Sequence, residues 1–221
     1  MDKHTVAIIG GTGDLGSGLA LRWAKAGLQV VIGSRSPDKA VKSAQDLLHR
    51  LGQDACIRGS SNEEAAASAP VVVITVPYEG QTPILRQIAP HLKPGTIVVD
   101  ATVPFPTKDQ ERPVESAAEI TRKLLPESVK VAAAFHTVSS HCLEDLSAPL
   151  DCDVLMCGDD EAKSILKELI ELIPGARPVD VGRLSNARYI EPIVFLLIAI
   201  NRKYKTNRAG IRITGLPERY A

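Results

Sequence analysis

Seven residues near the start of the chain, GGTGDLG (10–16), set Gly11, Gly13 and Gly16 in the spacing G-x-G-x-x-G, directly after an apolar run and directly ahead of a helical one. That context makes a phosphate cradle. The first glycine permits a tight turn, the second lets backbone amides close on a pyrophosphate, and the third lets helix pack on strand, while the helix start carries partial positive charge. Asp14 and Leu15 count with the glycines as contacts of this loop. About twenty residues further on, an acidic side chain would bind the ribose 2′-hydroxyl of NAD. The chain reads VIGSRSPDKA (31–40) there instead. Ser34, Arg35 and Lys39 stand where a 2′-phosphate would sit, and a guanidinium can fork around its oxygens. The pattern predicts NADP(H).

A nicotinamide held by such a loop lies over the carboxyl ends of the strands, here TVPYEG (75–80) and DATVPF (100–105). Their prolines suit flat apolar surface against a ring, and equally suit plain strand termination. Reduction of a small carbonyl or imine wants a positioned proton donor, which β-hydroxyacid dehydrogenases supply as a lysine on a large helical domain. The stretch RLSNARYIEPIV (183–194) lacks their G-x-x-G-x-G-x-x-x-K-x-x-x-N pattern, and too little chain follows for that domain. Hydride transfer between two cofactor rings needs less, because the rings carry the electronic change and the protein aligns them. The stretch HTVSSHC (136–142) groups His136, His141 and Cys142, but no second paired motif accompanies it. No metal is predicted.

The elements that must position these residues alternate. Val6–Ile9, Val30–Ile32, Val71–Val76 and Ile97–Val99 read as strands, and Val129–Phe135 adds a further one; helices run on to Gly27, from Pro37, and over Thr82–Ala89. Continuous apolar strands joined by helices predict a doubly wound, Rossmann-type parallel sheet over 1–150. From 151 a strand DVLMCG, a helix to Ile173 and a strand RPVDVG predict a small C-terminal α/β part, 151–221, packed against it. A last helix, RYIEPIVFLLIAI, is apolar around too much of its circumference to be solvated. A homodimer contact through Tyr189–Ile200 is expected.

Lysine plus arginine and aspartate plus glutamate both number 26. No global charge therefore draws the chain to nucleic acid or anionic lipid. Met1–Thr5 leads straight into a strand, and Ile193–Ile200 is too short to span a bilayer. The four cysteines show no C-x-x-C pair, which suits a reducing compartment. A cytoplasmic protein of small-molecule partners is expected, with neither nucleic acid nor membrane among them.

The chain resembles the family of NADPH-dependent reductases of the deazaflavin coenzyme F420, the F420H2:NADP oxidoreductases. The matching pieces are GGTGDLGSGLALR, GSRSPDKA, TVPYEG, SAAEI, AFHTV, CGDDEAK, RPVDVGRLSNARYIE and AGIRITGL, spread over the whole length. The resemblance implies an oxidoreductase with NADP(H) held by Thr12, Ser34, Arg35 and Lys39, and with Val76 and Pro77 beside the nicotinamide. It further implies coenzyme F420 in a pocket near His136, Thr137, Val138, Arg188, Gly210 and Ile211, where His136 binds rather than acting as acid or base. Archaeal members tend to carry hydroxyl residues where Pro192 and Val194 align, so hydrogen bonds from those positions are expected to be lost here. A flavin or metal-chelate reductase and a non-catalytic NADP-sensing module are the alternatives.

Overall fold

The computed structural model describes residues 5–52, 54–105 and 115–217. Strands β1 (Thr5–Ile9), β2 (Gln29–Ser34) and β3 (Cys56–Ser61) alternate with helices α1 (Asp14–Lys25) and α2 (Pro37–Leu51). Then follow α3 (Asn62–Ser68), β4 (Val71–Ile74), α4 (Tyr78–Ile88), β5 (Ile97–Asp100), α5 (Ala117–Leu124), β6 (Lys130–Ala133) and α6 (Ser140–Glu144). The C-terminal part supplies β7 (Cys152–Gly158), α7 (Asp160–Glu171), β8 (Ala176–Asp180), α8 (Ala187–Ile190) and α9 (Ile193–Tyr204).

All eight strands form one sheet in the order β3-β2-β1-β4-β5-β6-β7-β8. Pairing is parallel throughout except between β6 and β7, which meet antiparallel over two residue pairs, Ala132 with Gly158 and Ala133 with Cys157. The order reverses between β1 and β4, and ligands of open α/β sheets bind outside the strand carboxyl ends at such a point. Alternation within the buried strands splits the core. Val6, Ile8, Val73 and Val99 face Leu19, Trp23 and Leu166 on one side; Ala7, Ile9, Val72 and Ile74 face Ala65, Leu85 and Ile88 on the other. The Trp23 indole N–H donates to the Leu169 carbonyl at 2.9 Å, tying α1 to α7.

Several boundaries differ from the sequence expectation for definable reasons. β3, α3 and α5 were not expected, because CIRGSS is weakly apolar and both helices are short. Their starts carry capping boxes, Ser61 with Glu64 and Ser116 with Glu119, an S-x-x-E signal that sequence alone offers. The last helix is two helices. Pro192 lacks an N–H to continue α8, and the chain restarts as α9 with Pro192 as its N-cap. In α9 only Leu197 is buried, and Leu196 is 61% exposed.

Candidate functional site

The glycine loop closes on itself before it reaches any ligand. The left-handed residue is Gly10, at φ +81°, so the tight turn falls one position ahead of Gly11. A side chain on Gly11 would meet the Ile8 carbonyl oxygen at 2.9 Å, and one on Gly16 would lie 2.7 Å from both the Gly11 Cα and the Thr75 Oγ1. These two are packing glycines. Gly13 differs, since a Cβ there would meet only the Gly10 oxygen at 3.5 Å; this leaves its backbone open. α1 starts without a side-chain cap, so its first amides are left for a ligand.

A cavity of about 1130 Å³ runs along the strand ends from this loop. Thr12, Gly13, Asp14, Leu15, Ser34 and Arg35 line it. Val76, Pro77, His136 and Val138 do so as well. Ala101 and Val103, from the strand end expected under the nicotinamide, also line it, and so do Asn62 and Phe135, which sequence reading did not single out; those two sit at element edges whose nearness to the loop only the sheet order sets. Lys39 stands exposed in the first turn of α2 and is not on the cavity wall.

A second cavity, about 360 Å³, adjoins the first, and His136, Val138, Ser140 and Val194 line both. Thr137 lines the second alone, and α9 closes it with Leu197, Ile198, Asn201 and Arg202. Leu197 and Ile198 lie in the helix expected at a dimer contact, and Asn201 and Arg202 were not singled out from sequence; all four lie some sixty residues from the 136–141 segment that lines the cavity with them.

His136 stands at this junction. It is 5% exposed, and neither ring nitrogen has a hydrogen-bond partner among the described residues. Burial pulls its pKa down to about 4, so the imidazole is neutral at physiological pH, with one nitrogen to donate and one to accept. Two unused buried polar atoms on a cavity wall fit a polar-edged ring. The preceding Phe135 holds φ +70°, rare for a bulky residue, and its ring meets Trp23 edge-on at 5.7 Å. Behind them, Arg22 of α1, buried, donates to the carbonyls of Cys142, Leu143, Asp145 and Ala148 at 2.6–3.0 Å. This clamp fixes α6, and α6 carries Ser140.

Glu191, 3% exposed, joins the C-terminal helices to the main body: its two oxygens accept the amides of Ala117 and Ala118 at 3.0 and 3.2 Å, at the start of α5. Burial outweighs those bonds and pushes its pKa up to about 8.

Of the residues expected around the second ring, Arg188, Gly210 and Ile211 line neither cavity. Arg188 donates to Glu119 at 2.5 Å and lines a small cleft with Glu191 and Phe195. Gly210 and Ile211 lie along β7, where the Ile211 carbonyl accepts the Asp153 amide at 2.7 Å and the Gly210 Cα faces Cys152. The reason is Asp153, fully buried, which binds Arg177, Arg212 and the Ile213 amide and so straps this segment to the sheet. Its neighbour Ala209 does reach the second cavity. Among the described residues no cluster of histidine, cysteine or carboxylates is arranged to hold a metal, and no helix is long and apolar enough to cross a membrane.

Residues 5–104 match the family model for coenzyme F420-dependent NADP oxidoreductases. The F420-dependent NADP reductase of Methanocaldococcus jannaschii is 44% identical over 96% of this chain and 98% of its own. That of Methanothermobacter thermautotrophicus is likewise 44% identical, over 96% of each. A solved structure from Arthrobacter sp. FB24, described as an F420-dependent NADP reductase, superposes with a TM-score of 0.78 over 95% of this chain and 99% of that one. At 21% identity, this last likeness speaks for the fold.

Proposed function

The chain belongs to the family of F420-dependent NADP reductases, and from that premise we propose that its two adjoining cavities carry reversible hydride transfer between NADP(H) and coenzyme F420. The observation that carries the reading is the shared wall. A long cavity served by a glycine loop and a smaller second cavity meet at His136, Val138, Ser140 and Val194, as two flat rings that must touch require. The open backbone at Gly13 and the uncapped start of α1 suit a pyrophosphate. Ser34 and Arg35 suit a 2′-phosphate, with Lys39 one turn away adding charge.

When both cofactors are bound, they supply the whole electronic change, the nicotinamide C4 and the deazaflavin C5 exchanging one hydride. The chain supplies alignment and dryness. Val76 and Pro77 flank the nicotinamide end, and His136, Thr137 and Val138 hold the second ring. Arg188 and the Gly210–Ile211 strap frame that pocket from outside. His136 contributes hydrogen bonds as a neutral imidazole, in keeping with its lowered pKa. Beside the hydride, the reduced deazaflavin takes up one proton, which would add at a ring nitrogen from solvent and not at the reacting carbons.

The division into 1–150 and 151–221 is read as functional: the first part holds NADP(H), and the second completes the deazaflavin pocket. A homodimer through α8 and α9 is part of the same reading, supported by Tyr189 and Leu196 at 70% and 61% exposure. A cytoplasmic setting is supported by four free cysteines, two with thiols pushed up to about 12 by burial. The decisive test uses NADPH deuterated at C4: the label appears directly at C5 of reduced F420. Label lost to water during transfer rules the mechanism out.

A further inference from the structure

The second cavity is chemically two-sided. Its buried lining sets Val138 and Leu197 beside His136 and Thr137, with Val194 and Ile198 half-buried, whereas His141, Arg202 and Asn207 are exposed and give it, with Asn201, a polar margin. Among the described residues no carboxylate lines it. The Asn201 Oδ1 accepts the Ala209 amide at 3.0 Å, which commits that oxygen and leaves the side-chain NH₂ as a donor.

Arg202 is the residue to explain. Arg177, Arg188, Arg208 and Arg212 of the C-terminal part each hold a carboxylate. Arg202 holds none among the described residues, although it lines a cavity. A basic residue in the last turn of a helix also complements the helix dipole, and Lys203 occupies the same turn. Lys203 provides the contrast, because its ammonium lies over the Tyr204 ring at 5.8 Å and is not on the cavity wall. The dipole accounts for both cations; it does not account for a cation that lines a cavity whose described margin carries amide donors and no carboxylate.

We propose that Arg202, with the donors of Asn201 and Asn207 beside it, forms an anion subsite at the mouth of the second cavity that binds the phosphate- and carboxylate-bearing tail of the deazaflavin. This rests on the function proposed above and adds to it the residue that separates tailed from tail-less deazaflavins. A guanidinium suits either anion through paired N–H donors. The ring enters the buried interior and the tail remains at the exposed margin, so the subsite acts on affinity for the tail and not on the rings.

The test compares F420 with its tail-less riboflavin-level analogue, which has the same reacting ring, in the full-length enzyme with saturating NADPH. The readout is the ratio of kcat/KM for the two. In the unmodified enzyme the ratio favours F420, and the preference shrinks as salt rises from about 0.05 M to about 0.5 M. Arg202→Ala lowers it roughly three- to tenfold, Arg202→Glu lowers it further, and Arg202→Lys restores part of it. Lys203→Ala, which removes the same charge from the same turn, leaves it in place. A ratio that stays within about twofold in both Arg202→Ala and Arg202→Glu overturns the proposal, as does an equal fall in Lys203→Ala. The two carboxyl-bearing and phosphate-only forms of the tail tell which anion is bound: a ratio unchanged on removing the glutamates assigns the phosphate. An unmodified enzyme that reduces neither deazaflavin with NADPH overturns the function itself, and this subsite with it.

Discussion

The glycine-loop end of the site and the α9 wall are built by opposite means. At the loop, backbone touches backbone: Gly10, Gly11 and Gly16 leave no room for a side chain, and the Gly10 and Thr75 amides donate to the Gly33 and Ile9 carbonyls of neighbouring strands. At the α9 wall, side chains from a helix with a single buried residue close a cavity against a loop more than fifty residues away. The first is fixed by covalent neighbours and sheet register, the second by a few anchors such as Glu191. Changes at the loop should therefore be severe and independent of solution conditions, and changes at the wall should be graded and sensitive to pH or association.

The largest expected effect is Gly16→Ala. Its methyl would lie 2.7 Å from the Gly11 Cα, a backbone neighbour that cannot swing aside. A loss of about 1–3 kcal/mol of stability is expected, with NADPH binding weakened on the order of a hundredfold, both readable by thermal melts and fluorescence titration. Near-normal binding would remove the rigid half of the contrast.

Next comes the junction. His136 has a folded pKa of about 4 against an ordinary 6.5, so the unfolded chain takes up the proton first. Stability is then fully present above pH 6.5 and falls as pH drops toward 4, by up to about 3 kcal/mol. Glu191 has the opposite sign: with its pKa raised from 4.5 to about 8, stability falls as pH rises through that interval. The two slopes oppose each other between pH 4.5 and 6.5. Denaturant melts of His136→Gln should lose the acid-side fall, and those of Glu191→Gln the alkaline-side fall. Identical pH slopes in variants and unmodified protein would mean neither group is buried as described.

Arg35→Ala should weaken NADPH relative to NADH by about tenfold to a hundredfold, the worth of one charge-assisted hydrogen bond at roughly 1.5–3 kcal/mol. Equal use of both nucleotides by the unmodified enzyme would break the assignment of Ser34 and Arg35 to a 2′-phosphate. The smallest effect on the fold is expected from Leu196→Lys, which places a charge on an exposed apolar position. If α9 forms the proposed homodimer contact, the variant should halve the mass seen by light scattering with the melting temperature of the monomer nearly unchanged, and an unmodified chain of monomer mass would overturn the dimer itself. A variant that stays dimeric would move the interface off α9.

Local chemistry made much of the loop legible in the sequence. Glycine spacing, the strand before it and the Ser34–Arg35 pair are contiguous signals, and the structure lines one cavity with Thr12, Gly13, Ser34 and Arg35. Even there, register mattered: Gly10 takes the positive φ, one position ahead of the Gly11 to which the motif assigns the tight turn. β3 was hidden because Gly59 dilutes its apolar character, yet that glycine is demanded by α2, since a Cβ would fall 2.2 Å from the Ala40 carbonyl carbon.

The sequence by itself determined the βαβ alternation, the phosphate loop, the lack of an acid at the end of β2 and, through its later motifs, the family. Tertiary structure alone decided that the last helix breaks at Pro192, that Asp153 binds the Gly210–Ile211 strap to β7, and that Asn201 and Arg202 line one cavity with His136. The physical reason is range. Turns, caps and strand patterns depend on residues a few positions apart, whereas a cavity wall depends on which distant elements burial and buried charge bring together, and no local spacing encodes that choice.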